Sequence, residues 1–142
     1  SEHEIISSNI LSQNDFDFLK NKSKKLYLEM SNIVNLAGFL IADVKFEFGF
    51  NRKGDIVLGD SLGPDEFRIW KKVNYQIGST QESYDKQILR DWLTNIGFKK
   101  KVNEQKFSKT KPLPPKLPSS LIQKISRRYI LSYEMITGDK IT

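Results

Sequence analysis

Hydrophobic positions along the chain follow two rhythms, and each predicts a different element. In "SQNDFDFLKNKSKKLYLEMSNIVNLAG", Phe18, Leu26, Met30 and Ile33 recur near helical spacing, with Leu19 beside them. That spacing predicts one long helix. Ser12 or Asn14 caps it, Asp15 and Asp17 occupy the favourable first turn, and Gly38 stops it. Residues 1–11 carry no such periodicity and read as irregular. From Phe39 the rhythm shortens. "FLIADVKFEFGFNRKGDIVLGD" predicts a β-hairpin, with a strand over 39–50, a turn at 51–54 and a return over 55–59. Gly63 and Pro64 break the return, Phe67 to Trp70 form a short extended piece, and 71–82 read as loop. Helical spacing resumes in "SYDKQILRDWLTNIG". Ser83 is its predicted N-cap, Ile88, Trp92 and Ile96 share a face, and Gly97 is its stop. The last helix is "SSLIQKISRRYILSYEMITG", capped by Ser119 or Ser120 and ended by Gly138.

These elements predict an α+β fold: an antiparallel β-sheet with flanking helices, in one domain over 1–142. Within it lie the hairpin (39–60), a basic Pro-rich linker (99–118) and the C-terminal helix (119–138). Four of the five prolines lie between 112 and 118, so that part is extended and semi-rigid. No internal repeat is visible.

The hairpin carries charge among its hydrophobic residues. Strand alternation puts Ala42, Val44, Phe46 and Phe48 on one face and Asp43, Lys45 and Glu47 on the other. With 51–54 as the loop, Phe50 pairs with Asp55, Glu47 with Leu58 and Lys45 with Asp60. Asp43, Lys45, Glu47 and Asp60 then share a face; a slip of one residue moves Asp60 to the other side. Two readings stay open: the solvated face of an amphipathic hairpin, or a carboxylate cluster that settles around a cation such as Mg²⁺.

Composition narrows the classes. With 38% hydrophobic and 28% charged residues the chain is soluble and foldable. No apolar run approaches the roughly 18 residues of a membrane span, and no signal peptide is visible. The absence of cysteine excludes disulfides and fits a cytoplasmic protein. Net charge is +6, which suggests an anionic partner. That excess is local: Lys99 to Lys116 holds seven lysines and one acid, and the remainder is close to neutral. With Phe107 as its one candidate stacking ring, this run reads as a solvated loop rather than a nucleic-acid arm. The chain opens on Ser1 in a polar segment, which reads as a processed or cut chain.

Four stretches together resemble one family. "ADVKFEFG" is similar to the D-x-K-x-E-F-G strand of the SAICAR synthetases (phosphoribosylaminoimidazole-succinocarboxamide synthases). "VLGDSLGPDEFRIW" resembles their V-L-x-D-E-x-x-P-D-x-x-R-x-W, and "SYDKQILRDWL" their S-[YF]-D-K-Q-x-x-R-D-W-L. "PPKLPSSLIQKISRRYILSYEMITG" resembles their closing segment. The motifs occur in family order and cover most of Phe39 to Gly138. The resemblance implies an ATP-dependent ligase of purine biosynthesis. Such an enzyme joins L-aspartate to carboxyaminoimidazole ribonucleotide through an acyl phosphate, with ATP and Mg²⁺. It implies an ATP-grasp-like fold of which this chain is the larger, C-terminal part. The glycine-containing nucleotide lobe would then be a partner outside this chain, since no G-x-G occurs here. It leaves room for a homo-oligomer, and implies a chain inactive by itself.

Carried over residue by residue, the resemblance implies that Glu47 and Asp60 serve the Mg²⁺. It makes Lys45 and Asp43 catalytic, Lys45 stabilising phosphoryl charge and Asp43 supporting it. Arg68 would contact the ribonucleotide phosphate and Asp65 orient its loop. Lys86 and Arg90, four apart on a helix, would take carboxylates or phosphate, against the alternative of an ordinary solvated helix face. The chain departs from the family pattern at Ser61 and Phe67, and at His3–Glu4. The competing class is a basic nucleic-acid-binding module, with salt-steep binding lost on deleting the linker.

Overall fold

The computed structural model describes residues 2–60 and 62–141. The readings at Ser1 and Ser61 lie outside these residues. Among the described residues, two α-helices, four strands and three further α-helices follow one another. They are α1 (Glu2–Ser7), α2 (Gln13–Leu36), β1 (Phe39–Val44), β2 (Glu47–Phe50), β3 (Ile56–Gly59), β4 (Phe67–Lys71), α3 (Gln87–Asn95), α4 (Phe98–Glu104) and α5 (Ser119–Thr137).

Helix α2 forms where its periodicity predicts. The Ser12 hydroxyl accepts from the Asp15 N–H at 3.1 Å, which satisfies one of the unpaired donors of the first turn. Gly38 follows its end with φ +81°, a left-handed conformation that favours glycine. Leu19, Leu26 and Met30 lie on its half-buried stripe, which ends in the buried Val34. Phe18 and Ile33 are exposed instead, because the stripe runs one residue off from them.

The predicted single hairpin is split in two. β1 pairs with β4, and β2 pairs with β3, each antiparallel. Between Ile41 and Asp43 the β1 register shifts by a bulged residue, Ala42. The bulge resets the alternation: Phe39 and Ile41 point into the core, while Asp43 is exposed. The β2–β3 ladder is also one residue off the predicted register. Phe50 pairs with Ile56 rather than Asp55, and Glu47 with Gly59 rather than Leu58. The physical reason lies in the turn. The Asn51 Oδ1 accepts from the N–H groups of both Lys53 and Asp55 at 2.9 Å, so Asn51 and Asp55 close the loop as a pair. The shared face argued for Asp60 with Lys45 therefore does not hold.

Four other boundaries differ. Residues 2–7 are helical where an irregular segment is predicted. The stretch 98–104, mostly assigned to the linker, forms α4. α3 begins at Gln87, four residues after Ser83, which instead bridges to Trp70 of β4. In α5, Ser119 is already the first helical residue and Pro118 holds the cap position.

The core is small. Val34, Phe39, Ile41, Phe67, Ile69 and Tyr84 form it, with Tyr27, Met30, Leu131 and Ile136 packed around them. Thus α2 and α5 pack against the β1–β4 pair in one cluster, and the Phe39 and Tyr84 rings meet edge to face at 5.4 Å. Among the described residues, no helix is long and apolar enough to cross a membrane.

Candidate active site

Where β1 ends, its pairing with β4 brings Asp43 opposite Arg68. The Arg68 guanidinium donates from Nε at 2.6 Å and from Nη2 at 2.8 Å to the two Asp43 oxygens. This bidentate pair holds the Asp43 carboxyl below the usual carboxylate range and pushes Arg68 up. It leaves Nη1 of Arg68 uncommitted to Asp43.

One residue beyond β1, the Lys45 N–H donates to the Glu66 carbonyl at 3.2 Å, extending the β1–β4 pairing. The Lys45 ammonium lies 2.5 Å from Glu47 and 3.4 Å from Glu66. Those carboxylates, Glu47 first, push its pKa up. Glu66 also faces Lys86, at 3.7 Å.

The start of α3 is fixed by Asp85. This carboxylate is 2% exposed. Oδ2 accepts from the Ile69 N–H of β4 at 3.1 Å and from the Ser83 hydroxyl. Oδ1 accepts from the Gln87 N–H at 2.7 Å, capping the first turn of α3. Asp85 thereby bolts α3 to β4. Behind it, Arg128 of α5 donates to the Ser83 carbonyl and to Glu82 and stacks on Tyr84.

These anchors open a cleft of about 400 Å³ between the end of β1, the Asp65–Arg68 segment and α3. It is lined by six of the residues singled out in the sequence: Asp43, Lys45, Asp65, Arg68, Lys86 and Arg90. They come from Asp43 to Arg90 in the sequence, and the β1–β4 pairing and the Asp85 anchor help bring them together. Glu47 and Asp60 do not line it. They sit at one end of the β2–β3 hairpin, where Glu47 pairs with Gly59, the residue before Asp60. Asp60 leaves the ladder with φ +64°. Among the described residues, no three His, Cys, Asp or Glu side chains gather as a metal site. Two hard carboxylate donors fit Mg²⁺ where waters and ligand phosphates complete the shell.

Two residues of the cleft were not legible as functional. Glu66 stands where the family pattern is variable, and nothing in its neighbourhood marks it as a partner for two lysines. Asp85 reads as a helix first-turn charge; the Ser-x-Asp spacing before a helix was the available sign that it caps. A second cavity, about 700 Å³ and apolar, lies between α2, α5 and the Leu62–Asp65 turn.

The chain is α+β, with two small antiparallel sheets, flanking helices and a cleft at a strand end that gathers Lys45, Arg68, Lys86 and Arg90. Comparison with known proteins makes this specific. The SAICAR synthetase family profile matches residues 1–106, and the chain belongs to that family. The phosphoribosylaminoimidazole-succinocarboxamide synthase of Nitrosopumilus maritimus is 40% identical, over 99% of this chain and 54% of its own length. That of Corynebacterium efficiens is 39% identical, over 87% of this chain and 39% of its own. Among solved structures, SAICAR synthase from Saccharomyces cerevisiae complexed with SAICAR superposes with a TM-score of 0.75 at 31% identity. That superposition covers all of this chain and 44% of the yeast one. The chain thus spans about half the length, or less, of these relatives.

Proposed function

We propose that the cleft is part of the active site of an ATP-dependent ligase joining L-aspartate to carboxyaminoimidazole ribonucleotide, in the cytoplasm. The observation that carries this reading is the convergence of Lys45, Arg68, Lys86 and Arg90 on one cleft at the end of β1. Every reactant is an anion, and such a group of cations suits them all. The SAICAR bound to the yeast relative supports a ribonucleotide product of this kind.

In this reading the Nη1 group of Arg68 takes the ribonucleotide phosphate while Asp43 keeps the guanidinium plane fixed. Asp65 sets the turn that carries Arg68. Lys86 at the N-cap of α3 and Arg90 within it, presented by the Asp85 anchor, take the carboxylates of L-aspartate. Lys45 stands ready for charge on the transferring phosphoryl group. The substrate carboxylate attacks the γ-phosphorus of ATP, ADP leaves, and an acyl phosphate results. The aspartate amine then attacks the acyl carbon, phosphate departs, and the amine proton passes to solvent. Glu47 and Asp60 would hold Mg²⁺, which when bound supplies charge neutralisation at the phosphates. The chain's own residues act by positioning and by electrostatics.

ADP release by the intact gene product tests this reading, with Mg-ATP, carboxyaminoimidazole ribonucleotide and L-aspartate each omitted in turn. Release should require both co-substrates. A folded product that releases none, or releases it without aspartate, overturns the reading.

A further inference from the structure

Glu66 stands between the two lysines of the cleft, and its side chain is 13% exposed. One oxygen lies 3.4 Å from the Lys45 ammonium and the other 3.7 Å from that of Lys86. Charge-assisted N–H···O bonds run to about 2.7–2.9 Å. Both contacts are longer than that, and so weaker than a full charge-assisted bond. The neighbouring Arg68–Asp43 pair, at 2.6 and 2.8 Å, is fully bonded.

The backbone of Glu66, in contrast, is firmly held. Its N–H donates to the Gly63 carbonyl at 2.9 Å, and its carbonyl accepts from the Lys45 N–H at 3.2 Å. A carboxylate on a fixed backbone, with two ammonium groups at long range, is arranged to give those cations up to a competing anion, while Lys45 keeps its 2.5 Å bond to Glu47. Two other acids of the cleft are engaged differently. Asp43 is engaged with Arg68, and Asp85 is engaged with backbone N–H groups and Ser83.

We propose that Glu66 is an internal counter-anion. It keeps the Lys45 and Lys86 ammonium groups directed at one place in the cleft until a phosphate or carboxylate of the ligand takes its position between them. It acts through the lysines and is a positioning residue. Its charge also competes with the ligand, so the cleft binds anions less tightly than its cations alone would. This rests on reading the cleft as an anion-binding site.

Glu66→Gln separates the charge from the shape, since the amide oxygen still accepts from a lysine. Inorganic pyrophosphate titrated calorimetrically into the intact gene product at low salt is the probe. Glu66→Gln should bind it about three- to tenfold more tightly, the effect of deleting one nearby charge in a partly screened cleft. The gain should shrink in a Lys86→Gln background, because one of the competed cations is then gone. A purely structural Glu66 predicts loss of stability and no gain in affinity. Unchanged or weaker binding by a folded Glu66→Gln variant overturns the proposal. So does a gain of full size without Lys86, or no pyrophosphate binding by any form. If Glu66→Gln fails to fold, Glu66→Asp, whose carboxylate is withdrawn from both lysines, should show a smaller gain, and its absence is equally decisive. Failure here leaves the ADP-release result standing, and failure there leaves pyrophosphate binding standing, so the two ideas can fall separately.

Discussion

Asp85 is the residue on which the geometry of the cleft most depends. Its two oxygens serve the Ile69 N–H, the Gln87 N–H and the Ser83 hydroxyl, all within a site 2% exposed. Asp85→Ala strands two backbone donors, one of them in the core strand β4. Leaving buried donors without an acceptor should cost about 2–4 kcal/mol. A urea midpoint equal to wild type would mean that the freed N–H groups find other acceptors and that α3 is held by packing alone. Asp43 shows the opposite case, a carboxylate that is mostly solvated, with 56% of its side chain exposed. Arg68 lowers its pKa in the folded state. Its contribution to stability is thus full above the ordinary carboxylate value of about 4, and is lost as pH falls through the lower folded value. Asp43→Asn should therefore lose less melting temperature than wild type when pH is lowered through that range. Because the pair is exposed, the difference will be small. Identical acid limbs would show that the pair contributes nothing to folding. At this scale the sequence was legible where a side chain declares its own chemistry, as with Lys45, Arg68, Lys86 and Arg90. It was not legible where a role comes from burial, as with Asp85, or from a neighbour far along the chain, as with Glu66.

Elements were read best where local chemistry decides them. Ser12 caps α2 and Gly38 ends it because an accepting hydroxyl and a left-handed residue are local requirements. Gly38→Ala tests the second of these. Its φ of +81° disfavours any L side chain, yet a Cβ there would meet only Met135 Cε at 3.6 Å, an ordinary contact. The cost is conformational, about 1–2 kcal/mol. Gly49→Ala is the matched control: it lies in β2, and its Cβ would meet nothing within 4 Å. That change should leave stability within about 0.5 kcal/mol of wild type. Equal midpoints for the two variants would remove the conformational explanation of the α2 stop. Strand pairing was less legible. The β2–β3 register turned on whether Asn51 belongs to the loop or closes it, a choice made by one side-chain oxygen accepting two N–H groups. The division of the hairpin between two sheets depends on β4, whose pairing with β1 is set by core packing of Phe39 and Ile41 against Phe67 and Ile69. No periodicity in 39–60 carries that information.

For the molecule as a whole, charge is distributed in two ways with different consequences. The lysines of α4 and the stretch after it are solvated; Lys100, for example, is only loosely paired with Glu104, at 3.9 Å. Several charges of the cleft are paired and directed by the fold, as in Asp43–Arg68 and Glu66 with Lys45 and Lys86. The Glu47 and Asp60 carboxylates lie outside the cleft lining. They stand at the end of the small β2–β3 sheet, where Glu47 contacts the cleft lysine Lys45. If they hold the divalent ion, the intact gene product should lose turnover on treatment with a chelator and regain it when Mg²⁺ is restored. Glu47→Gln should lower turnover by about two orders of magnitude or more and raise the Mg²⁺ concentration needed for half-maximal rate, since half of a hard donor pair is gone. Lys109→Ala removes a solvated charge outside the cleft and should leave both quantities unchanged. Lys45 complicates a simple activity loss, because Glu47→Gln also frees its ammonium. The Mg²⁺ dependence resolves this: a metal role shifts the midpoint, whereas a role only in holding Lys45 lowers the rate at every Mg²⁺ concentration alike. An unshifted midpoint in a folded Glu47→Gln enzyme would remove Glu47 from the metal site and leave it as the second anchor of Lys45.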